Sequence, residues 1–455
     1  MSPLDLSAPL ALHIVGIGGA GMSAIAMVLA SMGHKVSGSD LKDSPGLERL
    51  RVAGVEVHIG HQGAHVGPEV QAVTISTAIP PANPEVAEAH RRGIPVLRRA
   101  EALGAICATR RPIAVAGTHG KTTTSSMLAL VLVEAGMRPS FIIGGELTGI
   151  GTGAVWSEGE WFVVEADESD GTFLELGAEV ALVTSVEPDH LSYWGSWANL
   201  RDAFERFLHG AAGLKVVCAD DPVAGELGRS AGAVSYGTSE GADYRMVDVA
   251  GGRTGIVFGV ERGGRHLAEV RLPVPGLHNA RNACATVATA VELGASVDSV
   301  TRGLARYAGV ARRYQFRGER DGVTFVDDYA HLPGEVKEIL AAATHGGWRR
   351  IVCVFQPHRY SRTEALWRDF AGAFDDADVV VLTEIYAQGE TPRPGVTAKR
   401  VLEALLDARP GRTVYWFPGR ADLARNVSRV LRPGDLCLTL GAGDVTLLAS
   451  EIQQL

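Results

Sequence analysis

Two glycine-rich loops, each placed between an apolar strand and a helix, constrain this chain more than any other feature. GIGGAGMS, the first glycine loop, occupies residues 16–23, and GTHGKTTT, the second glycine loop, occupies residues 117–124. In this setting successive backbone N–H groups and the positive end of a helix dipole point at one place, which favours a bound phosphate. The sequence therefore predicts an α/β protein with two sites for phosphate-bearing ligands.

The second glycine loop departs from the usual G-x-x-x-x-G-K-[ST] fingerprint. Val115 stands where the first glycine is expected. The strand before the loop and the helix after it are nevertheless in place, which favours a nucleotide site over a plain turn with a solvated lysine. Lys121 is then expected to reach the β- and γ-phosphates, and Thr122 to offer its hydroxyl to magnesium.

The first glycine loop matches G-x-G-x-x-G through Gly16, Gly18 and Gly21. Asp40 closes the next predicted strand, about where an acid that binds a ribose belongs. Alone, this pattern is typical of an NAD-dependent dehydrogenase. A UDP-sugar, or a tight turn without any ligand, fits the same pattern.

Polar residues follow two further apolar strands. EADESDGTF covers residues 165–173, and Glu165, nearest the strand end, is the best candidate for a magnesium ligand. EPDHLSYWG covers residues 187–195, and His190 is placed where it could reach the same metal or a phosphate. The alternatives are a solvated acidic loop and a structural histidine.

Three motifs lie further along the chain. In HNARN, residues 278–282, Asn279 and Asn282 suit the edge of adenine, although helix capping explains Asn279 almost as well. VDDYAHLP and FQPHRYSRT follow strands of a third unit. Arg359 and Arg362 in the latter offer planar forks for a carboxylate or phosphate, unless they only form a basic surface cluster.

Length and composition limit the organisation. A chain of 455 residues predicts two or three domains, and the strand pattern places them at residues 1–106, 107–311 and 312–455. The net charge of -9 argues against a general nucleic-acid binder. The five cysteines are scattered, and no apolar run is long enough for a membrane helix. Without a signal peptide, the prediction is a cytoplasmic protein with no membrane or nucleic-acid partner.

Taken together, these motifs resemble the Mur ligase family. The resemblance runs in order through GIGGAGMS, GTHGKTTT, EADESDGTF, EPDHLSYWG, HNARN, DDYAHLP, HRYSRT, YAQGE and LTLGAGD. It implies three domains: an N-terminal Rossmann-like domain for the UDP-substrate, a central P-loop ATPase-like domain, and a C-terminal dinucleotide-fold-like domain for the amino acid. GIGGAGMS with EADESDGTF and PHRYSRT is most similar to the alanine-adding branch.

The resemblance implies an activity and its partners. The expected reaction is ATP-dependent ligation of L-alanine to the lactyl carboxylate of UDP-N-acetylmuramate through an acyl phosphate, in peptidoglycan synthesis. ATP and Mg²⁺ are the implied cofactors, and the expected state is a monomer or weak homodimer. Because the reacting groups come from three domains, domain closure is expected.

The resemblance also implies site residues. ATP binding is carried over to Gly117, Thr118, His119, Gly120, Lys121, Thr122, Thr123, Asn282, Arg313 and Asp328. UDP-substrate binding is carried over to Gly16, Gly18, Gly19, Ala20, Gly21, Met22, Ser23, Asp40, Ser76 and Thr77. The metal is expected at Thr122, Glu165 and His190. The implied catalytic residues are Lys121, His190, Tyr329, His331, His358, Arg359 and Arg362.

Two departures from the family pattern matter. Leu332 stands where members often have a second histidine, so that position is expected to be dispensable. The helix expected over residues 196–209 contains Arg201 and Arg206 but no lysine, which argues against the carbamylated lysine of several sister ligases. The branch that recycles a whole tripeptide, an NAD-dependent dehydrogenase and a non-catalytic nucleotide-binding regulator are the alternatives.

Overall fold

The computed structural model describes residues 4–455, except for the side chain of Ser192. The chain divides into two compact units. The first contains residues up to 248 together with 258–270 and 281–307, and the second contains residues 249–257, 271–280 and 308–455.

The first sheet is a five-stranded parallel sheet with the order β3-β2-β1-β4-β5. The chain order reverses beside β1, and in such sheets ligands bind outside the carboxyl ends of the strands at this point. The first glycine loop follows β1 there. The strands are β1 Ala11–Val15, β2 Lys35–Asp40, β3 Glu56–Ile59, β4 Ala72–Ile75 and β5 Val96–Arg98. The helices are α1 Ala20–Ser31, α2 Pro45–Val52, α3 Pro84–Arg91 and α4 Arg99–Cys107.

The second sheet has ten strands in the order β15-β14-β13-β12-β11-β10-β6-β9-β7-β8. β6 lies between β10 and β9, parallel to both, and the second glycine loop follows it. The strands are β6 Arg111–Ala116, β7 Ser140–Ile142, β8 Ala154–Val155, β9 Trp161–Glu165, β10 Val180–Val183, β11 Lys215–Cys218, β12 Val234–Gly237, β13 Tyr244–Gly251, β14 Ile256–Arg262 and β15 Arg265–Leu272. The helices are α5 Lys121–Glu134, α6 Leu191–Trp194, α7 Trp197–Gly210, α8 Pro222–Ala231, α9 Leu277–Glu292 and α10 Val297–Ala305.

The third sheet has six strands in the order β16-β17-β21-β18-β19-β20. Only its edge strand β16 is antiparallel to its neighbour. The strands are β16 Gln315–Arg320, β17 Val323–Asp328, β18 Arg350–Phe355, β19 Val379–Leu382, β20 Thr413–Trp416 and β21 Asp435–Leu440. The helices are α11 Pro333–Thr344, α12 Tyr360–Leu366, α13 Lys399–Ala408, α14 Leu423–Val430 and α15 Leu448–Gln453.

Local sequence explains where several helices begin. Ser44, Asn83 and Asp221 each precede a proline and accept hydrogen bonds from backbone N–H groups in the first turn of the following helix. These side chains satisfy N–H groups that have no partner within the helix, and proline at the first position costs no hydrogen bond. The central strands β9 and β10 are buried almost throughout, as expected for strands covered on both faces.

The α/β class is confirmed. Within the second sheet, β12 runs parallel to both β11 and β13, and β13, β14 and β15 are successive neighbours in the sheet. Alternating β-branched residues indicate a half-buried strand but do not specify its partner. Within residues 4–455, no helix has both the length and the apolar character needed to cross a membrane.

Candidate active site

The second glycine loop is held against the segment that leaves β10. The N–H of Thr118 donates to Ser185 O at 3.0 Å, and the N–H of His119 donates to Ser185 Oγ at 3.0 Å. Gly117 and Gly120 have positive φ values of 134° and 81°. A Cβ on Gly120 would lie 2.6 Å from Asn282 Oδ1. The structure therefore places Asn282, the predicted adenine contact, directly beside the loop. Only glycine fits at position 120, next to this side chain.

Lys121, the first residue of α5, extends back across this loop. Its Nζ donates to Gly117 O at 2.6 Å and lies 2.9 Å from Glu168 Oε2, and the two side chains are 15% and 2% exposed. Burial lowers the pKa of Lys121, but the carboxylates of Glu168, Asp167 and Glu165 outweigh it, so the pKa is raised. Lys121 is therefore held charged at the loop, as a phosphate-binding lysine must be.

Thr122 and Glu165, two predicted metal ligands, lie together. Thr122 Oγ1 donates to Glu165 Oε1 at 3.1 Å, and Glu165 Oε2 accepts from the N–H of Gly144 at 2.8 Å. A hydroxyl and a carboxylate are oxygen donors of the kind Mg²⁺ takes, with phosphate and water as its other ligands. The pair fits that ion.

His190, the third predicted metal ligand, has different neighbours. It precedes α6 with a φ of 51°, and its Nε2 lies 3.4 Å from Asp189 Oδ2. Across residues 4–455 no three His, Cys, Asp or Glu side chains form a cluster that could hold a metal ion. The metal role of His190 stays a prediction.

The first glycine loop is fixed to the end of β2. The N–H groups of Gly16 and Ile17 donate to Ser39 O at 2.8 and 2.9 Å, and the N–H of Gly18 donates to Asp40 Oδ2 at 2.9 Å. The predicted ribose acid Asp40 therefore holds the loop itself. Gly19 and Ala20 are exposed, so the start of α1 is accessible to a ligand.

The remaining residues predicted for this site differ in exposure. Met22 is only 2% exposed and packs in the hydrophobic core, so only its backbone can serve a ligand. Ser23 Oγ donates to Ala20 O. Ser76 Oγ would lie 4.0 Å from a Cβ on Gly16, while Thr77 is exposed.

The acidic turn, residues 165–170, contains a functional candidate that the sequence did not single out. Glu165 was favoured because it stands nearest the strand end, yet Glu168 is the carboxylate that pairs with Lys121. Arg99 was also missed. Its Nη2 donates to Asp170 Oδ2 at 2.9 Å. Both contacts depend on how the turn folds, and neither motif spacing nor residue type specified that.

In the second unit, the predicted residues Tyr329, His331 and His358 form a continuous row. The ring centroids of Tyr329 and His331 are 5.4 Å apart, and those of His331 and His358 are also 5.4 Å apart. Arg313, another predicted residue, has its guanidinium 5.5 Å from the centre of the Tyr329 ring. The third sheet therefore brings together, at its carboxyl edge, side chains that the sequence separates by some 30 positions.

The protonation state of His358 follows from its neighbour. Arg362 Nη1 lies 2.8 Å from His358 Nδ1. Because a guanidinium can only donate, His358 Nδ1 must accept, which requires a neutral ring with its proton on Nε2. Burial lowers the pKa of His358 to about 4, with the nearby His331 acting in the same direction.

Asp328 and Arg359 complete this region. Asp328 accepts from the N–H groups of Tyr314 and Ala330, each at 2.7 Å, and burial raises its pKa to about 6. Arg359 is exposed, with a φ of 69°, and its N–H donates to Tyr386 O at 2.8 Å. Leu332, at the position where a histidine is common, is 9% exposed.

Models of three Mur ligase domains match the chain. The model described as Mur ligase family, catalytic domain, matches residues 11–111, the Mur ligase middle domain matches residues 115–290, and the Mur ligase, glutamate ligase domain, matches residues 312–443. The order of the three matches follows the order of the three sheets.

Relatives of similar length match nearly all of the chain. The UDP-N-acetylmuramate–L-alanine ligase of Desulforamulus reducens is 45% identical over 97% of this chain and 96% of its own. That of a Geobacter species is 46% identical over 95% of each chain. The crystal structure of the UDP-N-acetylmuramate-alanine ligase MurC from Thermotoga maritima has a TM-score of 0.82 and 29% identity, covering 98% of both chains.

Proposed function

Since this chain belongs to the Mur ligase family, we propose that it joins L-alanine to the lactyl carboxylate of UDP-N-acetylmuramate and consumes ATP. The products are UDP-N-acetylmuramoyl-L-alanine, ADP and phosphate. One observation carries the proposal from the structural side. Two glycine loops of different construction stand at the carboxyl ends of two different sheets, which suits a reaction that uses two different nucleotides.

The chemistry requires activation of a carboxylate. Its oxygen is a poor leaving group, so the γ-phosphate of ATP is transferred to it and an acyl phosphate forms. The amine of alanine then attacks the carbonyl carbon, the amide forms and phosphate leaves. The transfer brings two anions together, which demands positive charge at the second glycine loop.

Lys121 and the loop backbone supply that charge and its placement. Lys121 is nearly buried and held charged, so its attraction to a phosphate is screened less than that of a surface lysine. Its present partner Glu168 keeps the ammonium in place beside the loop. Lys121 therefore needs little reorganisation when phosphates bind.

Thr122 and Glu165 would hold Mg²⁺. When bound, the ion would neutralise phosphate charge during transfer. The hydrogen bond from Gly144 orients the Glu165 carboxylate toward Thr122.

In the second unit, Arg359 would hold the carboxylate of alanine through its planar fork. Tyr329, His331 and the neutral His358 would line the pocket for the amino acid. His358 offers an Nε2–H donor and carries no charge that would compete for the carboxylate.

The tripeptide-recycling ligase is the nearest rival. A murein peptide ligase from Psychrobacter arcticus has a TM-score of 0.71 but only 23% identity, a likeness of fold alone. The relatives above 40% identity bear the alanine-ligase name, which favours alanine.

The test is phosphate release with UDP-N-acetylmuramate and ATP while the third substrate is varied. We expect release with L-alanine, and background release when either alanine or the UDP-sugar is omitted. L-Ala-γ-D-Glu-meso-diaminopimelate is the matched comparison. If that tripeptide supports faster turnover than alanine at equal concentration, the recycling activity is correct and the proposal is wrong.

A further inference from the structure

Arg99, the first residue of α4, stands between the first glycine loop and the acidic turn. A Cβ on Gly21 would lie 3.2 Å from Arg99 Nη1. On its other side, Arg99 Nη2 donates to Asp170 Oδ2 at 2.9 Å and lies 3.5 Å from Asp167 Oδ2. One guanidinium thus adjoins the loop predicted for the UDP-sugar and also the turn that holds Lys121.

Arg99 lines a cavity of about 400 Å³ that runs between these two regions. Gly21 and Ser23 line one part of the cavity, and Glu165 and Asp167 line another. A substrate that carries a diphosphate and a carboxylate would be repelled by these acids unless a cation compensated them. Arg99 is placed to be that cation.

The Arg99 guanidinium keeps hydrogen-bond donors available for a ligand. Nη2 makes the hydrogen bonds to the acidic turn and to Thr172. Within residues 4–455, no hydrogen bond is formed by Nη1 or Nε, and the side chain is 25% exposed. A planar fork can bind anions along two edges at once, which a lysine ammonium on a flexible stem does less well.

We propose that Arg99 is a substrate-binding residue that contacts two anions at once. Its free N–H groups bind an anionic oxygen of the UDP-sugar, either of the diphosphate or of the lactyl carboxylate, while Nη2 remains on Asp170. The inference rests on the proposed function, because it takes the UDP-sugar as the ligand of the first glycine loop.

The test is isothermal titration of UDP-N-acetylmuramate into the full-length protein and its variants. We expect Arg99→Gln to raise the Kd at least tenfold and Arg99→Lys to raise it three- to tenfold. Arg98→Gln is the matched control. Arg98 is adjacent and makes a similar ion pair, with Glu175 at 2.9 Å, but it does not line the cavity. Its Kd is expected to stay within threefold of the wild-type value.

The variant Asp170→Asn distinguishes a substrate-binding role of Arg99 from a purely structural role of its ion pair. It removes the ionic partner of Arg99 without removing the donors offered to the substrate, so its Kd is also expected to stay within threefold. A purely structural ion pair would make Asp170→Asn as harmful as Arg99→Gln. That equality would overturn the inference, as would a Kd within threefold for both Arg99 variants.

Two further ligands are titrated. UDP-N-acetylglucosamine identifies the anion that Arg99 binds, and an ATP analogue verifies that each variant is folded. UDP-N-acetylglucosamine carries the diphosphate but lacks the lactyl carboxylate. A tenfold loss that persists with it assigns the diphosphate, and a loss confined to UDP-N-acetylmuramate assigns the carboxylate. An ATP-analogue Kd within threefold of wild type verifies that each variant is folded, and Arg99→Lys serves if Arg99→Gln does not fold. If the wild type itself binds no UDP-sugar, the proposed function fails rather than the role of Arg99.

Discussion

Lys121 and Glu168 depend on each other, because each is nearly buried and carries a charge. Replacing Lys121 alone by methionine leaves an uncompensated carboxylate, which costs roughly 3–5 kcal/mol in comparable buried pairs. We expect Lys121→Met to lower the melting temperature and to reduce phosphate release by orders of magnitude. The double variant Lys121→Met/Glu168→Gln should regain most of the stability but none of the activity.

Melting curves and phosphate-release rates on both variants separate the two roles of the lysine. An active double variant would mean that Lys121 serves the fold only. Equal melting temperatures for the single and double variants would mean that the pair is not coupled.

Arg359 gives a second prediction at the residue scale. Arg359→Lys keeps the charge but loses the planar fork, so the KM for alanine should rise about tenfold, equivalent to one charge-assisted hydrogen bond. The KM values for ATP and the UDP-sugar should change little. Steady-state kinetics with each substrate varied in turn measure this.

Arg368→Lys is the matched control, since Arg368 is near in sequence but packs over the Trp367 ring at 4.3 Å. An unchanged alanine KM in Arg359→Lys would remove Arg359 from the amino-acid site.

Single residues were predictable where a motif fixes their position relative to an element. Lys121 and Thr122 begin a helix, and Glu165 ends a strand, so their neighbourhood follows from the α/β pattern. Glu168 lies in a turn three residues further on, and Arg99 begins the helix that follows the last strand of the first sheet. The contacts of Glu168 with Lys121 and of Arg99 with Asp170 depend on backbone dihedral angles and packing that no local pattern encodes.

At the scale of elements, the start of α3 places Glu85 in a buried group of histidines. Glu85 accepts from Ser39 Oγ at 2.6 Å and lies 2.9 Å from His65 Nδ1. Burial raises the pKa of Glu85, but interactions with His13, Ser39 and His65 outweigh it and lower the pKa to about 2. Because Ser39 also holds the first glycine loop through its carbonyl, α3 supports that loop indirectly.

A depressed carboxyl pKa predicts how stability depends on pH. The contribution of Glu85 is fully present above its unfolded pKa of about 4.5 and is lost as pH falls toward 2. At about 1.4 kcal/mol per unit, the shift corresponds to roughly 3 kcal/mol. We expect Glu85→Gln to lower the melting temperature at pH 7 and to flatten its fall between pH 5 and pH 3.

Glu88→Gln on the same helix is the control, since Glu88 forms its ion pair with the exposed Arg91. Parallel melting curves for wild type and Glu85→Gln over this pH range would contradict the assignment.

Most elements were predictable because their hydrophobic period and end signals agree. The strand over residues 35–40 and the helix after the second glycine loop match the structure closely. The short strands β7 and β8 were missed, since three and two residues carry no period. The parallel pairing of β12 could not be predicted from the sequence either, because the register and the partner of a strand are set by tertiary packing.

At the scale of the whole molecule, the alternation of strands and helices predicts the three sheets. The boundaries of the two compact units, however, do not follow the boundaries between these sheets. Residues 249–257 and 271–280, predicted within the central domain, belong to the second compact unit. The boundary prediction at residues 106 and 311 remains a prediction. Segments that leave a domain and return to it give no compositional signal.

The central claim for the whole molecule is that ATP activates the carboxylate of the UDP-sugar. The most direct test uses UDP-N-acetylmuramate with both lactyl carboxylate oxygens labelled with ¹⁸O, together with ATP and L-alanine, and mass spectrometry of the products. The account predicts one ¹⁸O atom in the released phosphate and one in the amide carbonyl. Unlabelled phosphate formed together with the amide product would contradict it.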